Sequence, residues 1–493
     1  MSTVVTRFPP EPNGYLHLGH LKAMTFDFGY DPNCSCVLRM DDTNPKTEKL
    51  EYVASIIEDV EWLGFKPAKI TYTSDYFDEL FKFAVKLIEM DCAYVDLTPP
   101  DRIKEMRASG TESEYRSYPM VWHLAEFNKM ANGFYHENDA VLRLKINMVD
   151  VNHALRDPIA YRIIYGSHYR TGDKWCIYPT YDYSHGIVDS IEGITHSYCS
   201  MEFYIRRDQY YWPVNKLGLK PAVVQEFGRL NVEDNFLSKR KIINYVNQNL
   251  VSGFDDPRLL TIRGLRKRGF TPEILRSIIS HCSMERHDTN LTKALIDFHL
   301  REVLDRESPR MFAIIDPLEV VIEDETNVHD CNHPNHPKNV TMGSHITQLT
   351  KNILIEKSDF REVDSKDFFR LAPEKTIRLK YSYFVKYANH NKDIVTVSKT
   401  EPTNPKKIKG VIHWISKDFA IPVKFELYDK LLIDGEYNPN SKIIRDGYVE
   451  PAVMENLSKP YQFERLGYFK FDRYDNGKPV FIRVIDLIDK FNN

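Results

Sequence analysis

The chain has 493 residues, of which 42% are hydrophobic and 28% charged, and its formal net charge is -4. This length predicts three or four domains of about 100–200 residues each, with a large buried core. The near-neutral charge excludes a polycation, so a nucleic-acid partner has to be held by local basic patches.

The cysteines and the hydropathy pattern predict a cytoplasmic location. Seven cysteines are scattered along the chain, and an odd, dispersed set is not a disulfide framework, which fits a reducing compartment. No apolar run approaches the ~18 residues that a membrane-spanning helix needs. The first motif begins at Arg7, so we expect no cleavable targeting segment and no membrane attachment.

Residues 1–76 alternate between strand and helix patterns. A strand is predicted from Ser2 to Phe8, followed by a turn rich in proline and glycine and a helix from about His17 to Phe28. A second strand is predicted over Cys36–Met40, and an amphipathic helix over Thr47–Leu63. This strand–helix–strand–helix order predicts a parallel sheet with helices on its faces.

Four segments follow this first one. Residues 77–175 read as an insertion, after which a strand over Trp175–Tyr178 is predicted to resume the first domain as its second half, 176–228. Residues 229–308 are mostly helix-forming and basic. In residues 309–493 short β-rich stretches alternate with turns, as in β-barrels or sandwiches.

The run from Phe8 to His20 reads FPPEPNGYLHLGH and ends in two histidines. His17 and His20 are three residues apart at a helix start, so both imidazoles face the same way, and Gly19 lets a flat ring approach the backbone. Imidazoles at the positive end of a helix suit the phosphates and developing charge of a nucleotide. Alternatively, two such histidines are ordinary surface or core residues.

A second run, Phe236–Lys241, reads FLSKRK. Lysines on a serine-containing loop can grip triphosphate oxygens while charge builds during displacement of pyrophosphate. The alternative is a solvated basic turn, because short basic runs are common.

The two runs together are arranged like the HIGH and KMSKS motifs of class I aminoacyl-tRNA synthetases, which the sequence resembles. Further runs are similar to the glutaminyl-tRNA synthetase family, and the resemblance extends from about residue 6 to residue 485. These runs are Asp41–Pro45, Asp59–Gly64, Tyr178–His185 and Glu192–Cys199.

The second motif departs from the general pattern of the class. Leu237 replaces the usual methionine, Phe236 the leading lysine and Arg240 the final serine. Because Ser238 and Lys239 remain, we still expect a functional loop.

The resemblance implies an α/β fold. Residues 1–76 and 176–228 would form a Rossmann-type catalytic domain, and 77–175 an inserted domain that binds the acceptor stem of tRNA. Residues 229–308 would form a helical domain with the KMSKS-like loop. Residues 309–493 would form two antiparallel β-barrels that bind the anticodon.

The resemblance also implies an ATP site with three catalytic residues, His17, His20 and Lys239. The residues expected to bind ATP are Pro10, Glu11, Asn13, His17, Gly19, His20, Arg229, Leu230, Leu237, Ser238 and Lys239.

For glutamine, the resemblance implies a pocket formed by Arg7, Asp41, Tyr181, His185 and Cys199. A carboxylate at 41 is the natural partner of the α-ammonium, the arginine would lie near the substrate's other polar end, and the tyrosine hydroxyl can read an amide. Synthetases that charge glutamate typically place an arginine at the position of the cysteine, so its absence favours a neutral amide. Alternatively, the Asp-Asp pair is an acidic strand end and the cysteine an ordinary small buried residue.

The implied reaction is the ATP-dependent charging of tRNA(Gln) with glutamine through a glutaminyl-adenylate, normally with Mg²⁺. The family is usually monomeric. Basic residues expected to contact tRNA in the β-rich half are Arg378, Lys380, Lys406, Lys407 and Lys409.

We expect no metal site in the protein itself. His329, Cys331, His333 and His336 are close in sequence, but their spacing is irregular and no second ligand pair is evident.

Three rival functions can be weighed. A minimal relative that attaches glutamate to tRNA bases is disfavoured, because such proteins lack the large C-terminal β-rich half present here. A glutamyl-tRNA synthetase shares the fold and chemistry, and the missing arginine at 199 argues against it. A catalytically inactive relative that only binds tRNA or a partner protein is disfavoured, because a scaffold has no reason to keep His17, His20, Asp41 and Lys239 together.

Overall fold

The computed structural model describes residues 4–29 and 34–487, so Ser2 and Thr3 of the predicted first strand lie outside the described residues. The chain begins with a parallel three-stranded sheet in the order β1-β2-β3, as its alternating pattern predicts. Its elements are β1 (Val5–Phe8), α1 (Leu18–Gly29), β2 (Ser35–Met40), α2 (Leu50–Trp62) and β3 (Lys69–Tyr72).

Apolar residues at helical spacing hold α1 on this sheet. Leu18, Leu21 and Met24 are buried in one core with Leu38 and Met40 of β2. Truncating one such residue to alanine typically costs about 2–5 kcal/mol. The core therefore fixes the N-terminal end of α1, where the two histidines lie.

The insertion is built on an antiparallel four-stranded sheet in the order β4-β5-β6-β7. Its elements are α3 (Phe77–Glu89), β4 (Ala93–Asp96), α4 (Pro100–Ser109), α5 (Met120–Ala131), β5 (Val141–Leu144), β6 (Ile159–Ile163) and β7 (Ile177–Pro179). The prediction that a strand over Trp175–Tyr178 resumes the first domain is wrong, because β7 pairs with β6 of the insertion. A three-residue strand carries too few side chains for its pattern to indicate which sheet it joins.

The chain returns to the first sheet one helix later. The elements here are α6 (Tyr181–Glu192), β8 (His196–Ser200), α7 (Arg207–Lys216) and β9 (Val223–Phe227). β8 pairs parallel with β9, and it lies beside β1, since the Thr195 amide donates to the Val5 carbonyl at 2.9 Å. The carboxyl ends of β1, β2 and β8 consequently border one crevice, the usual place for a ligand in such folds.

The next region, 229–308, is described throughout and contains four helices and two short strands. Its elements are β10 (Leu230–Val232), α8 (Lys239–Asn247), α9 (Ile262–Arg268), α10 (Pro272–Ile279), β11 (Thr289–Leu291) and α11 (Lys293–Glu307). Ser238 caps α8, and Thr271 caps α10 just before Pro272.

Two seven-stranded sheets and two two-stranded sheets make up the rest of the described chain. Their strands, β12 to β29, are in chain order Arg310–Met311, Ala313–Ile314, Pro317–Ile322, His329–Pro334, Ser344–Leu349, Asn352–Glu356, Thr376–Leu379, Phe384–His390, Ile394–Thr400, Val411–Ile412, Ile415–Ser416, Ile421–Tyr428, Leu432–Ile433, Glu436–Tyr437, Lys442–Val449, Tyr461–Phe463, Gly467–Asp475 and Lys478–Ile485. The seven-stranded sheets have the orders β21-β18-β19-β20-β14-β17-β22 and β12-β27-β28-β29-β23-β26-β13, and the two-stranded sheets are β15-β16 and β24-β25. Both seven-stranded sheets are mixed and not purely antiparallel, because β14 pairs parallel with β20, and β23 parallel with β29.

None of the helices within residues 4–29 and 34–487 combines the length and the apolar character that crossing a bilayer requires.

Candidate active site

A cleft of about 930 Å³ opens between the start of α1, the end of β8 and the segment from β9 to α8. It is lined by most of the residues proposed from the sequence for ATP: Glu11, His17, Gly19, His20, Arg229, Leu230, Leu237 and Ser238. It is also lined by the whole predicted glutamine pocket: Arg7, Asp41, Tyr181, His185 and Cys199. Residues up to 231 positions apart in the chain thus meet in one place.

Three predicted residues are not among those lining the cleft. Pro10 is buried, and its carbonyl accepts the Asp41 amide at 3.0 Å. Lys239 Nζ donates to Asn13 Oδ1 at 2.6 Å, which joins the loop before α1 to the start of α8. Burial lowers the pKa of Lys239. The Lys239–Asn13 contact holds the two sequence motifs against each other.

The backbone determines which nitrogen of each histidine carries the proton. The His17 amide donates to His20 Nδ1 at 3.0 Å, and the Gly19 amide donates to His17 Nδ1 at 3.1 Å. Each neutral ring therefore carries its proton on Nε2, as a donor available to a ligand. Burial, followed by the charge of Lys239, lowers the pKa of His17 to about 3, so the ring is neutral at physiological pH.

Gly19 makes room for the close contact between the rings of His17 and His20, which are tilted by 36°. The centroids of His17 and His20 are 3.8 Å apart, and a Cβ built on Gly19 would lie 2.9 Å from His17 Cε1. A larger residue would push the ring of His17 away from its place in the cleft.

Arg7 is buried, and all three of its guanidinium nitrogens are engaged by protein groups. Its Nε donates to Asp189 at 3.1 Å, and its Nη1 donates to the Tyr198 carbonyl at 3.1 Å. Its Nη2 donates to Ser197 Oγ at 2.6 Å and to His185 Nε2 at 2.5 Å. The side chain is therefore fixed in one orientation, and its charge is balanced by a carboxylate.

Asp189 is the centre of a buried charge network that the sequence reasoning missed. It also accepts from Arg39 Nη2 at 2.7 Å and from the Tyr210 hydroxyl at 2.8 Å. Burial by itself raises the pKa of Asp189, but the charges of Arg7 and Arg39 outweigh this effect and hold the pKa well below its usual range. Arg39 in turn pairs with Glu192 at 3.0 Å. The available signal was the spacing of His185, Asp189 and Glu192 on one face of α6.

The two acidic residues after β2 have different surroundings. Asp41 lines the cleft, and its Oδ1 accepts from Thr73 Oγ1 at 3.2 Å. Asp42 accepts from the amide and hydroxyl of Ser74 at 2.8 and 2.7 Å, and from the Tyr169 hydroxyl at 3.0 Å. Burial raises the pKa of Asp41 to about 6. Of the pair, Asp41 is therefore the one placed to meet a ligand's ammonium.

Cys199 borders a small side cavity of about 30 Å³ that shares Tyr181 and His185 with the cleft. Burial raises the pKa of the Cys199 thiol to about 11, so it carries no charge. The two arginines lining this side cavity are paired. Arg206 contacts Asp182 at 2.7 Å, and Arg207 contacts Glu226 at 2.9 Å.

Phe236, which departs from the usual lysine, anchors the loop before α8. It is 9% exposed and belongs to an apolar cluster with Ile242 of α8, Leu431 and Leu432, the last two at the start of the β24-β25 hairpin. Its ring contacts Tyr245 at a centroid distance of 4.8 Å. A buried aromatic thus replaces an exposed charge at this position.

The basic residues proposed from the sequence for tRNA lie on the first seven-stranded sheet and its loops. The Arg378 amide donates to the Gly410 carbonyl at 2.8 Å, which brings β18 close to Lys409. Lys380 forms an ion pair with Glu464, which directly follows β27. Their contact with RNA stays a prediction.

The four potential metal ligands that lie close in sequence, His329, Cys331, His333 and His336, do not come together at one site. His329 contacts Glu325 at 2.9 Å, and His336 Nε2 lies 2.7 Å from the Asp305 carbonyl. Within the described ranges, His333 instead meets His345 and Glu450, with potential ligand atoms within 4.8 Å of one another. The Glu450 carboxylate already accepts the Phe312 amide at 2.5 Å, and the absence of a resident metal stays a prediction.

Comparison with known proteins assigns the family. Residues 3–306 match the catalytic domain of "tRNA synthetases class I (E and Q)", and residues 308–401 and 411–472 match two anti-codon binding domains of that group. The chain is 41% identical over 526 residues to "Glutamine--tRNA ligase" of Vibrio vulnificus, covering 99% of this chain and 94% of the relative. The enzyme of the same name from Nitrosomonas europaea is 42% identical, covering 98% and 94%.

Among solved structures, "Glutamate-tRNA Synthetase from Elizabethkingia anophelis" is 18% identical, with a TM-score of 0.46, covering 62% of this chain and 72% of that one. On the family models and the sequence relatives, the chain belongs to the class I tRNA synthetases for glutamate and glutamine, in the glutamine–tRNA ligase family.

Proposed function

We propose that this protein charges tRNA(Gln) with glutamine at the expense of ATP. The observation that carries the proposal is the paired state of every described arginine near Cys199. Arg206 and Arg207 each contact a carboxylate, and Arg7 is balanced by Asp189. A site without a free cation favours a neutral amide over the carboxylate of glutamate.

In the first step, a carboxylate oxygen of glutamine attacks the α-phosphorus of ATP, and pyrophosphate leaves with the electron pair of the broken P–O bond. The Nε2–H groups of His17 and His20 and the ammonium of Lys239 are the donors proposed to stabilise the added negative charge. Neutral imidazoles suit this role, because they donate hydrogen bonds without having to gain a proton in a buried site.

Glutamine is held through its two polar ends. Asp41 accepts from the α-ammonium, which orients the carboxylate toward the nucleotide. The Tyr181 hydroxyl faces the amide, since this residue lines both the cleft and the side cavity beside Cys199. A hydroxyl can both donate and accept, as recognition of an amide requires.

Mg²⁺ would reach the site on the triphosphate, where it would neutralise phosphate charge. Glu11 and Glu202 are exposed carboxylates that line the cleft, and such oxygen ligands fit this cation.

In the second step, a terminal ribose hydroxyl of tRNA attacks the acyl carbon of the adenylate, and AMP leaves. We propose the insertion, 77–175, for the acceptor stem and the two C-terminal sheets, 309–493, for the anticodon. We also propose that the protein is a monomer and that it acts in the cytoplasm.

The test is a charging assay with purified protein, bulk tRNA, ATP and each labelled amino acid in turn. Glutamine transfer supports the proposal, and preferential glutamate transfer contradicts it. If neither amino acid is transferred, the protein is instead a tRNA-binding relative without catalytic activity.

A further inference from the structure

Lys22 is a buried cation that borders the nucleotide end of the cleft and has no role in the mechanism above. It lies on α1, two residues after His20, and is only 1% exposed, although it lines the cleft. Burying an ammonium is costly unless strong partners replace its hydration. Its surroundings therefore indicate what holds it in place.

The partners of Lys22 lie on other elements: Phe227 and Gly228 line the cleft at the end of β9, and Thr289 begins β11. Its Nζ donates to the Gly228 carbonyl at 2.7 Å and to Thr289 Oγ1 at 3.3 Å, and it lies 5.6 Å from the ring centroid of Phe227. Burial lowers the pKa of Lys22. The side chain thus connects α1 directly to the segment between β9 and β10.

The segment between β9 and β10 is also held by residues 285–288. The Gly228 amide donates to the Glu285 carbonyl at 2.8 Å, and a Cβ on Gly228 would lie 1.9 Å from the His287 carbonyl oxygen. The Arg229 amide donates to Asp288 Oδ1 at 2.8 Å. Only a glycine fits here, and Lys22 supplies the contact on the cleft side.

We propose that Lys22 is a positioning residue that sets the width of the ATP site. It holds the Gly228 carbonyl and, through it, keeps Arg229 and Leu230 at a fixed distance from the two histidines of α1. This inference rests on the proposed use of ATP. It assigns to Lys22 an effect on nucleotide affinity and none on glutamine binding, because the glutamine pocket residues are anchored on β1, β2, α6 and β8.

The experiment compares Lys22→Met, which removes the donor, with Lys22→Arg, which keeps a cationic donor. Lys86→Met on the exposed face of α3 serves as the matched control. ATP affinity is measured by calorimetry, and kcat and KM for ATP and for glutamine are measured by pyrophosphate exchange with tRNA present. Circular dichroism and thermal unfolding test whether each variant is folded. If Lys22→Met does not fold, Lys22→Gln replaces it.

A hydrogen bond from a charged donor predicts that Lys22→Met weakens ATP binding and raises its KM roughly tenfold. We expect kcat and the KM for glutamine to stay unchanged, and Lys22→Arg to recover most of the loss. Unchanged ATP affinity, an equal loss in every parameter, or no recovery by arginine would overturn the inference. Failure of the wild-type protein to exchange pyrophosphate would refute the proposed function, while the calorimetric comparison would still test Lys22.

Discussion

Asp189 on α6 accepts a hydrogen bond at 3.1 Å from Arg7 on β1, and both side chains are buried, at 0% and 1% exposed. The pair joins the first strand of the sheet to the helix that carries His185. Because Arg7 is buried, its orientation depends on this carboxylate. The glutamine pocket therefore rests on a residue that the substrate does not touch.

Replacing Asp189 with asparagine would leave Arg7 and Arg39 without their shared counter-charge. Breaking a buried ion pair in this way costs about 3–5 kcal/mol, so we expect a lower free energy of unfolding in urea. In the folded variant the KM for glutamine should rise while the KM for ATP stays constant. Asp78→Asn removes an exposed pairing with Lys174 and should change neither quantity.

Glutamine binding should weaken in mild acid. Burial raises the pKa of Asp41 from 3.8 to about 6, so the side chain takes up a proton as the pH falls through that value and loses its attraction for the α-ammonium. The KM for glutamine should therefore increase as the pH is lowered from 7.5 toward about 5.5. Asp41→Asn should bind glutamine poorly at every pH and show no such dependence. A KM that is constant in the wild type would contradict the role of Asp41.

Two glycines of α1 offer a matched pair of substitutions. Alanine at Gly19 would place a Cβ 2.9 Å from His17, whereas alanine at Gly29 meets nothing within 4 Å. We expect Gly19→Ala to lower the rate of pyrophosphate exchange by about tenfold or more, because the ring of His17 must move. Gly29→Ala should retain wild-type activity. Equal activities for the two variants would show that the close contact between the two histidine rings is not needed.

Much of the site could be predicted from local sequence. His17 and His20 lie on one short motif, and their spacing alone places both rings at the start of α1. The family resemblance then brought in Asp41, Tyr181 and Cys199, which all line the same cleft.

Contacts between distant residues could not be predicted in the same way. The pairing of Arg7 with Asp189 and the contact of Lys22 with Gly228 join residues 182 and 206 positions apart. The spacing of apolar residues along the chain does not indicate which distant residues will be in contact. For the same reason β7 was assigned to the wrong sheet, and the parallel pairing of β14 with β20 was missed.

The neutral side cavity at Cys199 leads to a specific substitution. Cys199→Arg would introduce a cation beside the amide-reading residue Tyr181, so we expect glutamine use to fall and glutamate use to rise. Cys199→Ser keeps a small neutral side chain and should preserve the preference for glutamine. The ratio of kcat/KM values for the two amino acids measures the effect.

The most direct test of the preference for glutamine is a competition assay in which the wild-type protein charges bulk tRNA from an equimolar mixture of differently labelled glutamine and glutamate. We predict that glutamine is transferred almost exclusively, because the described arginines bordering the pocket are all paired with carboxylates. Equal or greater transfer of glutamate would contradict it.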